Sequence, residues 1–240
     1  YFENDTKGGF TDKTSFTGLV GVTGGLNLKH ADYNNDGNLD FIILRGAWLE
    51  DYGNIPNSLI RNNGDGTFTD VTVEAGILSP KPTQTAIWSD FNLDGWLDIF
   101  IANESTEKGD NNCELFVNNG DGTFKDVGQT AGLSEKGFFK GVDSGDLNND
   151  GYPDLYISNF NGKNLLYMNS GEAQELSFKL AGDSVAVSNP LRSFSTWIFD
   201  YNNDGFEDIF VSGYSYQHKS PIRLMMLAIK DEKDGRLDQH

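Results

Sequence analysis

Three kinds of feature are scarce in this sequence: cysteines, basic residues and long apolar runs. Cys113 is the only cysteine among 240 residues, so no intrachain disulfide can form. The 18 Lys and Arg residues stand against 36 Asp and Glu residues, and the formal net charge is −18 at pH 7. A charge of this sign argues against nucleic acid and against an anionic membrane surface as partners. No apolar run has membrane-spanning length, so we expect no membrane insertion.

Residues that bind transition metals or carry catalysis are scarce as well. The three histidines, His30, His218 and His240, are not clustered, so nothing indicates a zinc or copper site. The sequence has no Gly-x-Ser-x-Gly motif, no phosphate-binding loop and no credible Ser/His/Asp or Cys/His arrangement. We therefore predict that the protein is not an enzyme.

A nine-residue motif, Asp-x-Asn-x-Asp-Gly-x-x-Asp, is by contrast abundant. Its four copies begin at residues 32, 90, 146 and 200, so successive starts lie 58, 56 and 54 residues apart. We call the copies cage loops 1 to 4; they span 32–40, 90–98, 146–154 and 200–208. Carboxylates stand at the first, fifth and ninth positions and an amide oxygen at the third, while glycine at the sixth allows a sharp turn. Such a set of oxygens suits a hard cation.

Calcium is the cation that this donor set fits best, because it accepts six to eight oxygens in a flexible geometry. Magnesium fits less well, since it prefers a strict octahedron with several waters. We predict about four calcium ions, one per cage loop, with the seventh residue contributing its backbone carbonyl. The predicted metal ligands are Asp32, Asn34, Asp36, Asn38, Asp40, Asp90, Asn92, Asp94, Trp96, Asp98, Asp146, Asn148, Asp150, Tyr152, Asp154, Asp200, Asn202, Asp204, Phe206 and Asp208.

Two alternative interpretations of the motif need to be compared with the calcium site. An EF-hand requires an acidic ligand at the twelfth position, whereas the residues there are Ile43, Ile101, Ile157 and Val211. The EF-hand is therefore rejected. The second alternative is a set of metal-free turns, which Asp, Asn and Gly also favour. Four copies with the same ninth-position Asp favour the metal site, because a turn does not need that residue.

Short β-strands are predicted on both sides of every cage loop. The runs after the loops are apolar and rich in β-branched and aromatic residues, at 41–44, 99–102, 155–158 and 209–212. Their continuous apolar character predicts strands buried on both faces. A second block, Asn-Asn-Gly-Asp-Gly-Thr-Phe, occurs at 62–68 and 118–124, where Asn-Gly and Asp-Gly indicate a hairpin.

The repeat predicts an all-β chain that forms a single β-propeller domain or a fragment of one. Four antiparallel strands in about 56 residues are the size of a propeller blade. The predicted blades are about 18–76, 77–133, 134–183 and 184–240. Residues 1–17 form a half-blade without a cage loop. We expect this hairpin to pair with the 184–240 blade of the same chain or with the equivalent blade of a neighbouring chain.

The cage loops and hairpins together resemble the FG-GAP/VCBS repeat family, which includes the repeats of the integrin α-subunit propeller. Segments 90–99 and 118–124 carry this resemblance, which extends over nearly the whole chain. The resemblance implies a β-propeller with calcium between the first two strands of each blade. It also implies a ligand role for the side chains at the first, third, fifth and ninth cage positions. The literal Phe-Gly…Gly-Ala-Pro signature is absent, and the family usually has seven blades rather than about four.

The function predicted from these features is that of an extracellular adhesion or recognition module for a protein or glycan, stabilised by calcium. One alternative is a subunit of an extracellular filament or surface array, and another is a fragment of a polysaccharide lyase or hydrolase. The chain begins with Tyr1 and shows no signal peptide, so we expect a mature product or a fragment. We expect secretion or cell-surface display, although a cytosolic origin stays open.

Two smaller sets of residues have alternative roles. The aromatic residues at the seventh cage position, Trp96, Tyr152 and Phe206, either form a sugar-stacking rim or pack between blades, and packing is favoured. Asn4 and Asn103 match the N-glycosylation acceptor pattern, which matters only in a glycosylating secretory route.

Overall fold

The computed structural model describes residues 1–105, 111–172, 175–182 and 187–214. These residues form sixteen β-strands and two short 3-10 helices, Thr14–Phe16 and Glu50–Gly53. The chain is therefore all-β, as its sequence predicts. Within the described residues, no helix has the length and apolar character needed to cross a membrane.

Three sheets each contain four antiparallel strands that follow one another in chain order. They confirm blades of four antiparallel strands. The first blade comprises β3 (Asn27–Ala31), β4 (Asp40–Leu44), β5 (Ser58–Asn62) and β6 (Phe68–Asp70). The second comprises β7 (Thr83–Ser89), β8 (Asp98–Asn103), β9 (Glu114–Asn118) and β10 (Phe124–Asp126). The third comprises β11 (Phe139–Gly145), β12 (Asp154–Asn159), β13 (Leu165–Asn169) and β14 (Phe178–Leu180).

Two further hairpins lie at the two ends of the described chain. The N-terminal hairpin consists of β1 (Phe2–Asn4) and β2 (Phe10–Asp12), and the fourth blade begins with β15 (Ser193–Phe199) and β16 (Asp208–Gly213). Among the described strands, each of these hairpins pairs only within itself. The expected pairing of residues 1–17 with the 184–240 blade of the same chain is thus not seen there. The remainder of that blade, after residue 214, lies outside the described residues.

The first strands of the four blades contact one another in order, β3 with β7, β7 with β11 and β11 with β15. Their side-by-side arrangement places these strands on the inside and the Asn-Gly hairpins on the outside. The cage loops join the first and second strands, so they all lie at one end of the blades. The connections after the second strands lie at the opposite end.

The hydrophobic core lies between the blades rather than within any one of them. In β8, Ile99 and Ile101 join a cluster with the first blade, whereas Phe100 and Ala102 join a cluster with the third blade. Alternate side chains of a strand point to opposite faces, so a strand between two neighbours is buried on both. This explains the continuous apolar runs after cage loops 2 and 3.

The prediction of burial on both faces is wrong for the fourth blade. Phe210 in β16 is 51% exposed, although it occupies the position that Phe100 occupies in β8, where exposure is 0%. The physical reason is that burial on the second face requires a following blade. No such blade exists in the described residues, so the apolar run alone could not determine burial.

Residues 1–17, which contain the N-terminal hairpin and the turn after it, contact the first blade as each blade contacts the next. The Phe68 N–H donates to the Thr17 carbonyl at 2.7 Å. Equivalent bonds join consecutive blades. The Phe124 N–H donates to the Ala75 carbonyl at 2.9 Å, and the Phe178 N–H donates to the Ala131 carbonyl at 2.7 Å. In this contact the hairpin therefore takes the place of the outer half of a preceding blade.

Candidate metal centres

The four cage loops share one local hydrogen-bond pattern, which their own nine residues supply. The carboxylate of the first Asp accepts from the N–H of the fifth residue at 3.0–3.1 Å and from the N–H of the sixth at 2.8–2.9 Å. The fifth Asp accepts from the N–H of the seventh residue at 2.8–2.9 Å. Side chains at the first and fifth positions thus fix the turn of the backbone.

Two residues in each loop, the fourth and the sixth, adopt left-handed backbone conformations. The sixth residue is glycine, with φ between 86° and 92° in the four loops. The fourth residue is also left-handed, with φ of 54° at Asn35, 58° at Leu93 and Asn149, and 59° at Asn203. Asn tolerates this conformation better than Leu, because its short polar side chain bonds locally. The fourth position was not predicted as a site residue, although Asn in three copies was a usable signal.

The ninth Asp differs from the other predicted side-chain ligands because its first three copies are fully buried. Asp98 Oδ1 accepts from the Asn118 N–H at 2.9 Å, and its Oδ2 accepts from the Phe91 N–H at 3.1 Å. Burial raises the pKa of Asp98 to about 7, against the opposing effect of these two hydrogen bonds. Burial likewise raises the pKa of Asp40 to about 6 and that of Asp154 to about 6.

An asparagine on the third strand of each complete blade attaches the ninth Asp to the rest of the sheet. The Asn118 side-chain amide donates to the Leu97 carbonyl at 3.1 Å and to the Tyr33 carbonyl of cage loop 1 at 2.9 Å. Asn169 links cage loop 3 to the Phe91 carbonyl of cage loop 2 at 3.0 Å in the same way. These residues connect consecutive cage loops and were missed as site residues, although an Asn before each Asn-Gly or Ser-Gly turn was a possible signal.

The side chains at the seventh cage position pack on the outer hairpin of their own blade. A Cβ added to Gly120 would lie 2.9 Å from Trp96 Nε1, and one added to Gly171 would lie 3.2 Å from the Tyr152 ring. Each glycine thus leaves room for the ring. Trp96 also lines the cleft between the first and second blades, so the choice between a sugar-stacking rim and packing between blades stays a prediction. Phe206, in the fourth blade, is 61% exposed.

The donor set of the loops fits a hard divalent cation. Asp32, Asn34, Asp36 and Asp40 supply side-chain oxygens only, and the three carboxylates carry a formal charge of −3. Asp40 Oδ2 is buried and has no hydrogen-bond partner. A calcium ion would be held by these residues and by their counterparts in the other loops.

The carboxylates within each cage loop, as the structure describes them, do not converge on one point. Within the described residues, no group of three or more Asp, Glu, His or Cys side chains is arranged to hold a metal ion. Intraloop hydrogen bonds account for this, since both oxygens of the first Asp accept from the backbone and the Asn34 amide donates to Asp36 at 2.8 Å. The calcium sites therefore stay a prediction.

The two N-glycosylation matches lie in different environments. Asn4 is exposed at the end of β1, whereas Asn103 is fully buried. The Asn103 amide donates to the Asn112 carbonyl and to Glu114, both at 2.8 Å. Only Asn4 is accessible as an acceptor in the folded chain.

Comparison with known protein families identifies the repeats. The family model for FG-GAP-like repeats matches three overlapping segments, residues 32–101, 90–157 and 146–211. Each match starts at the first Asp of a cage loop and ends in the strand after the next one. This agrees with the resemblance expected from the cage loops and hairpins.

Similar proteins include cartilage acidic protein 1 of Homo sapiens, 27% identical over 92% of this chain and 34% of that protein. The protein of the same name from Mus musculus is 25% identical over the same shares. The chain thus spans about a third of the length of these curated relatives. Among solved structures, a lectin of Agrocybe aegerita that recognises non-reducing terminal N-acetylglucosamine matches with a TM-score of 0.42. It is 22% identical, over 76% of this chain and 45% of the lectin chain.

Proposed function

The chain belongs to the FG-GAP-like repeat family, and on that premise we propose that it is a calcium-stabilised extracellular module that recognises a protein or glycan. Clefts between adjacent blades form the recognition surface. Calcium has a structural role in the cage loops. No catalytic reaction is assigned to the chain.

The shared geometry of the four cage loops supports the calcium part of the proposal. The same backbone hydrogen bonds recur in all four, so a cation that suits one loop suits the others. Bound calcium would neutralise carboxylates that otherwise repel one another at close range. Sites of this kind bind in the range of about 10⁻⁴–10⁻³ M in extracellular modules, where calcium is plentiful.

The observation that carries the recognition role is a pair of equivalent polar clefts between consecutive blades. The first cleft has a volume of about 430 Å³, and its lining includes Asn34 and Arg61 of the first blade and Trp96 and Asp121 of the second. The second cleft, of about 410 Å³, is lined among others by Asn92, Lys125 and Glu175. A half-buried indole beside charged and amide side chains suits a sugar ring or a polar protein loop.

Calcium titration tests the structural part of the proposal. We expect about four ions per chain by calorimetry and elemental analysis, and one ion fewer in Asp94→Ala. Fewer than two ions per chain in the intact protein would contradict the assignment.

Glycan and protein arrays test the recognition part in calcium-containing buffer. Binding is expected to weaken in Trp96→Ala, which removes the indole of the first cleft. Trp197→Ala is the matched control, because Trp197 is exposed on the fourth blade and lines neither cleft. Equal loss of binding in both variants, or calcium-loaded protein that binds nothing on either array, would rule out the clefts as the recognition surface.

The filament or array alternative is favoured by one observation. Residues 1–17 contact the first blade through Thr17 as a preceding blade would. Two inner strands from a neighbouring chain would complete it by strand addition. Such head-to-tail contacts generate open assemblies. Deletion of residues 1–17 is then expected to reduce the mass measured by light scattering, and a monomer of unchanged stability before and after deletion would reject this alternative.

The absence of a catalytic role is also testable. Incubation with acidic polysaccharides is expected to release neither unsaturated sugars nor new reducing ends. Release of either product by the purified protein would favour the lyase or hydrolase alternative instead.

A further inference from the structure

A cluster of aromatic rings lies at the end of the blades opposite the cage loops. Trp48 follows β4, Phe160 follows β12, Phe194 lies near the start of β15, and Tyr214 follows β16. With Ser212 these rings line a cavity of about 640 Å³, which we call the aromatic pocket. Three different blades contribute to it, so folding of the array creates a site that no single repeat contains.

The cluster around Trp48 already holds one cation. Lys140 Nζ lies 3.5 Å from the centroid of the Trp48 ring and 3.5 Å from that of Phe138. The Lys140 side chain is fully buried and forms an ion pair with Glu104. Glu104 Oε2 also accepts from the Trp48 N–H at 2.8 Å, which fixes the backbone of Trp48. Glu104 balances the Lys140 charge, and the ammonium occupies one face of Trp48, so a second cation would have to use the outer rings and the other face of Trp48.

The spacing of the outer rings allows several of them to contact one ligand group. The Trp48 centroid lies 5.7 Å from that of Phe160 and 6.3 Å from that of Phe194. The Phe160 and Tyr214 centroids are 6.4 Å apart. A cation is attracted by an aromatic ring when it lies within about 6 Å of the centroid. Rings this close together can share one cation.

The chemistry of the lining selects among ligands. A sugar needs several hydrogen-bonding groups, but the Ser212 hydroxyl already bonds to the backbone of Ser195, accepting at 3.1 Å and donating at 3.2 Å. An anion would meet the net charge of −18, and Lys140 is buried and paired. The same net charge attracts cations to the protein as a whole.

We propose that the aromatic pocket binds an alkylated ammonium group, carried by a free small molecule or by the side chain of a partner protein. The rings supply their negative faces, and the acidic protein raises the local concentration of cations. This site is separate from the cage loops and from the clefts between blades.

Nuclear magnetic resonance on the full chain in calcium-containing buffer tests the proposal. The Trp48 indole N–H donates to Gln84 Oε1 at 2.6 Å, so its resonance reports on the pocket. Choline serves as the free probe and a capped peptide with trimethyllysine as the side-chain probe. We expect the Trp48 indole signal to shift with at least one of them, while the exposed Trp197 indole stays unchanged at constant ionic strength.

Comparison with an uncharged probe separates cation binding from simple apolar binding. The carbon analogue of choline, which has the same shape without the charge, is expected to bind about tenfold more weakly. Equal affinity for the two would overturn the proposal in favour of an apolar pocket. The absence of a Trp48 shift with both cationic probes at millimolar concentrations would overturn it as well.

Variants identify the pocket as the place of binding. Tyr214→Ala and Phe160→Leu are each expected to weaken binding of the cationic probe several-fold, while Tyr214→Phe retains it. Tyr52→Ala is the matched control, because Tyr52 lies in the same connection as Trp48, is 88% exposed and does not line the pocket. Unchanged binding in Tyr214→Ala and Phe160→Leu, both folded by circular dichroism, would place the cation elsewhere and reject the assignment.

Discussion

The second and fourth blades contain the same nine-residue loop in two different surroundings. In cage loop 2, the first Asp accepts N–H bonds at 3.0 and 2.8 Å, and in cage loop 4 the corresponding bonds are 3.1 and 2.8 Å. The strands that follow differ sharply, since Phe100 is 0% exposed and Phe210 is 51% exposed. The loop geometry therefore depends on the nine residues themselves, whereas burial depends on the neighbouring blades.

The surroundings of the ninth Asp depend both on its own loop and on the neighbouring strands. Asp98 is buried and accepts from Asn118 on the third strand, while Asp208 is half-buried and accepts from Tyr201 of its own loop at 3.3 Å. In a repeat array most contacts of a unit are with its neighbours, so the burial of the ninth Asp depends on the strands and blades beside it. Loop substitutions are thus expected to act alike in both blades, and packing substitutions to act differently.

Calcium removal should have the largest effect, and it should reach both blades. At a hundredfold excess over Kd, each independent site contributes roughly 2.7 kcal/mol of stability, which a chelator removes. We expect a substantial fall in melting temperature, followed through the Trp197 indole resonance in the fourth blade and through reactivity of Cys113 in the second. Burial raises the pKa of the Cys113 thiol to about 12, so at pH 8 it reacts only after the blade opens.

Unequal responses of Trp197 and Cys113 would show that calcium does not stabilise the second and fourth blades alike. If chelation changes the Trp197 indole resonance while the thiol stays protected at all temperatures below the calcium-loaded melting point, only the fourth blade depends on calcium. An unchanged melting temperature of the whole protein after chelation would show that calcium does not contribute to its stability.

Truncation of equivalent phenylalanines should give the next largest effect and the greatest difference between blades. Phe100→Ala is expected to destabilise the protein by about 3–5 kcal/mol, because it leaves a cavity in the core between the second and third blades. Phe210→Ala is expected to cost less than about 1 kcal/mol, because half of its surface is already in contact with water. Urea unfolding measures both values, and similar losses would show that another surface covers Phe210.

The sequence was sufficient for the features that depend on short segments. Asp, Asn and Gly at fixed positions determine the cage loops, and the Asn-Gly turns determine the outer hairpins. Contacts between distant residues were not predictable in this way. Asn118 reaches the Tyr33 carbonyl across 85 residues of sequence, and no local pattern specifies such a bond. The exposure of Phe206 and Phe210 likewise depends on what packs next to the fourth blade, which an apolar run does not encode.

Substitution of the fifth cage residue should have a smaller effect that is equal in the two blades. Asp94→Ala and Asp204→Ala each remove one carboxylate and one predicted calcium site, and each is expected to lower stability by about 2–3 kcal/mol in excess calcium. Asp65→Ala is the matched control, because Asp65 bonds within an exposed hairpin, where it accepts from the Thr67 N–H at 2.9 Å and from the Thr67 hydroxyl at 2.5 Å. Its loss is expected to be no more than about 1 kcal/mol.

Thermal melts with and without calcium separate these variants. The two cage variants should differ from the control in calcium and resemble it after chelation. Equal effects of Asp94→Ala and Asp65→Ala in calcium would mean that the cage loops are metal-free turns. A much larger loss in Asp94→Ala than in Asp204→Ala would mean that the neighbouring blades contribute to the loop sites.

The smallest expected effect concerns the fourth cage residue, where the two blades differ in sequence but not in backbone. Leu93 and Asn203 have φ of 58° and 59°, and both are exposed. A left-handed conformation is less favourable for Leu than for Asn by roughly 0.5–1 kcal/mol. Leu93→Asn should therefore stabilise the protein and Asn203→Leu should destabilise it by about the same amount. Chemical unfolding in excess calcium measures both changes, with their double variant expected to match the unaltered protein. If the two changes differ in magnitude by more than their errors, the loop conformation depends on its blade and is not determined by its nine residues alone.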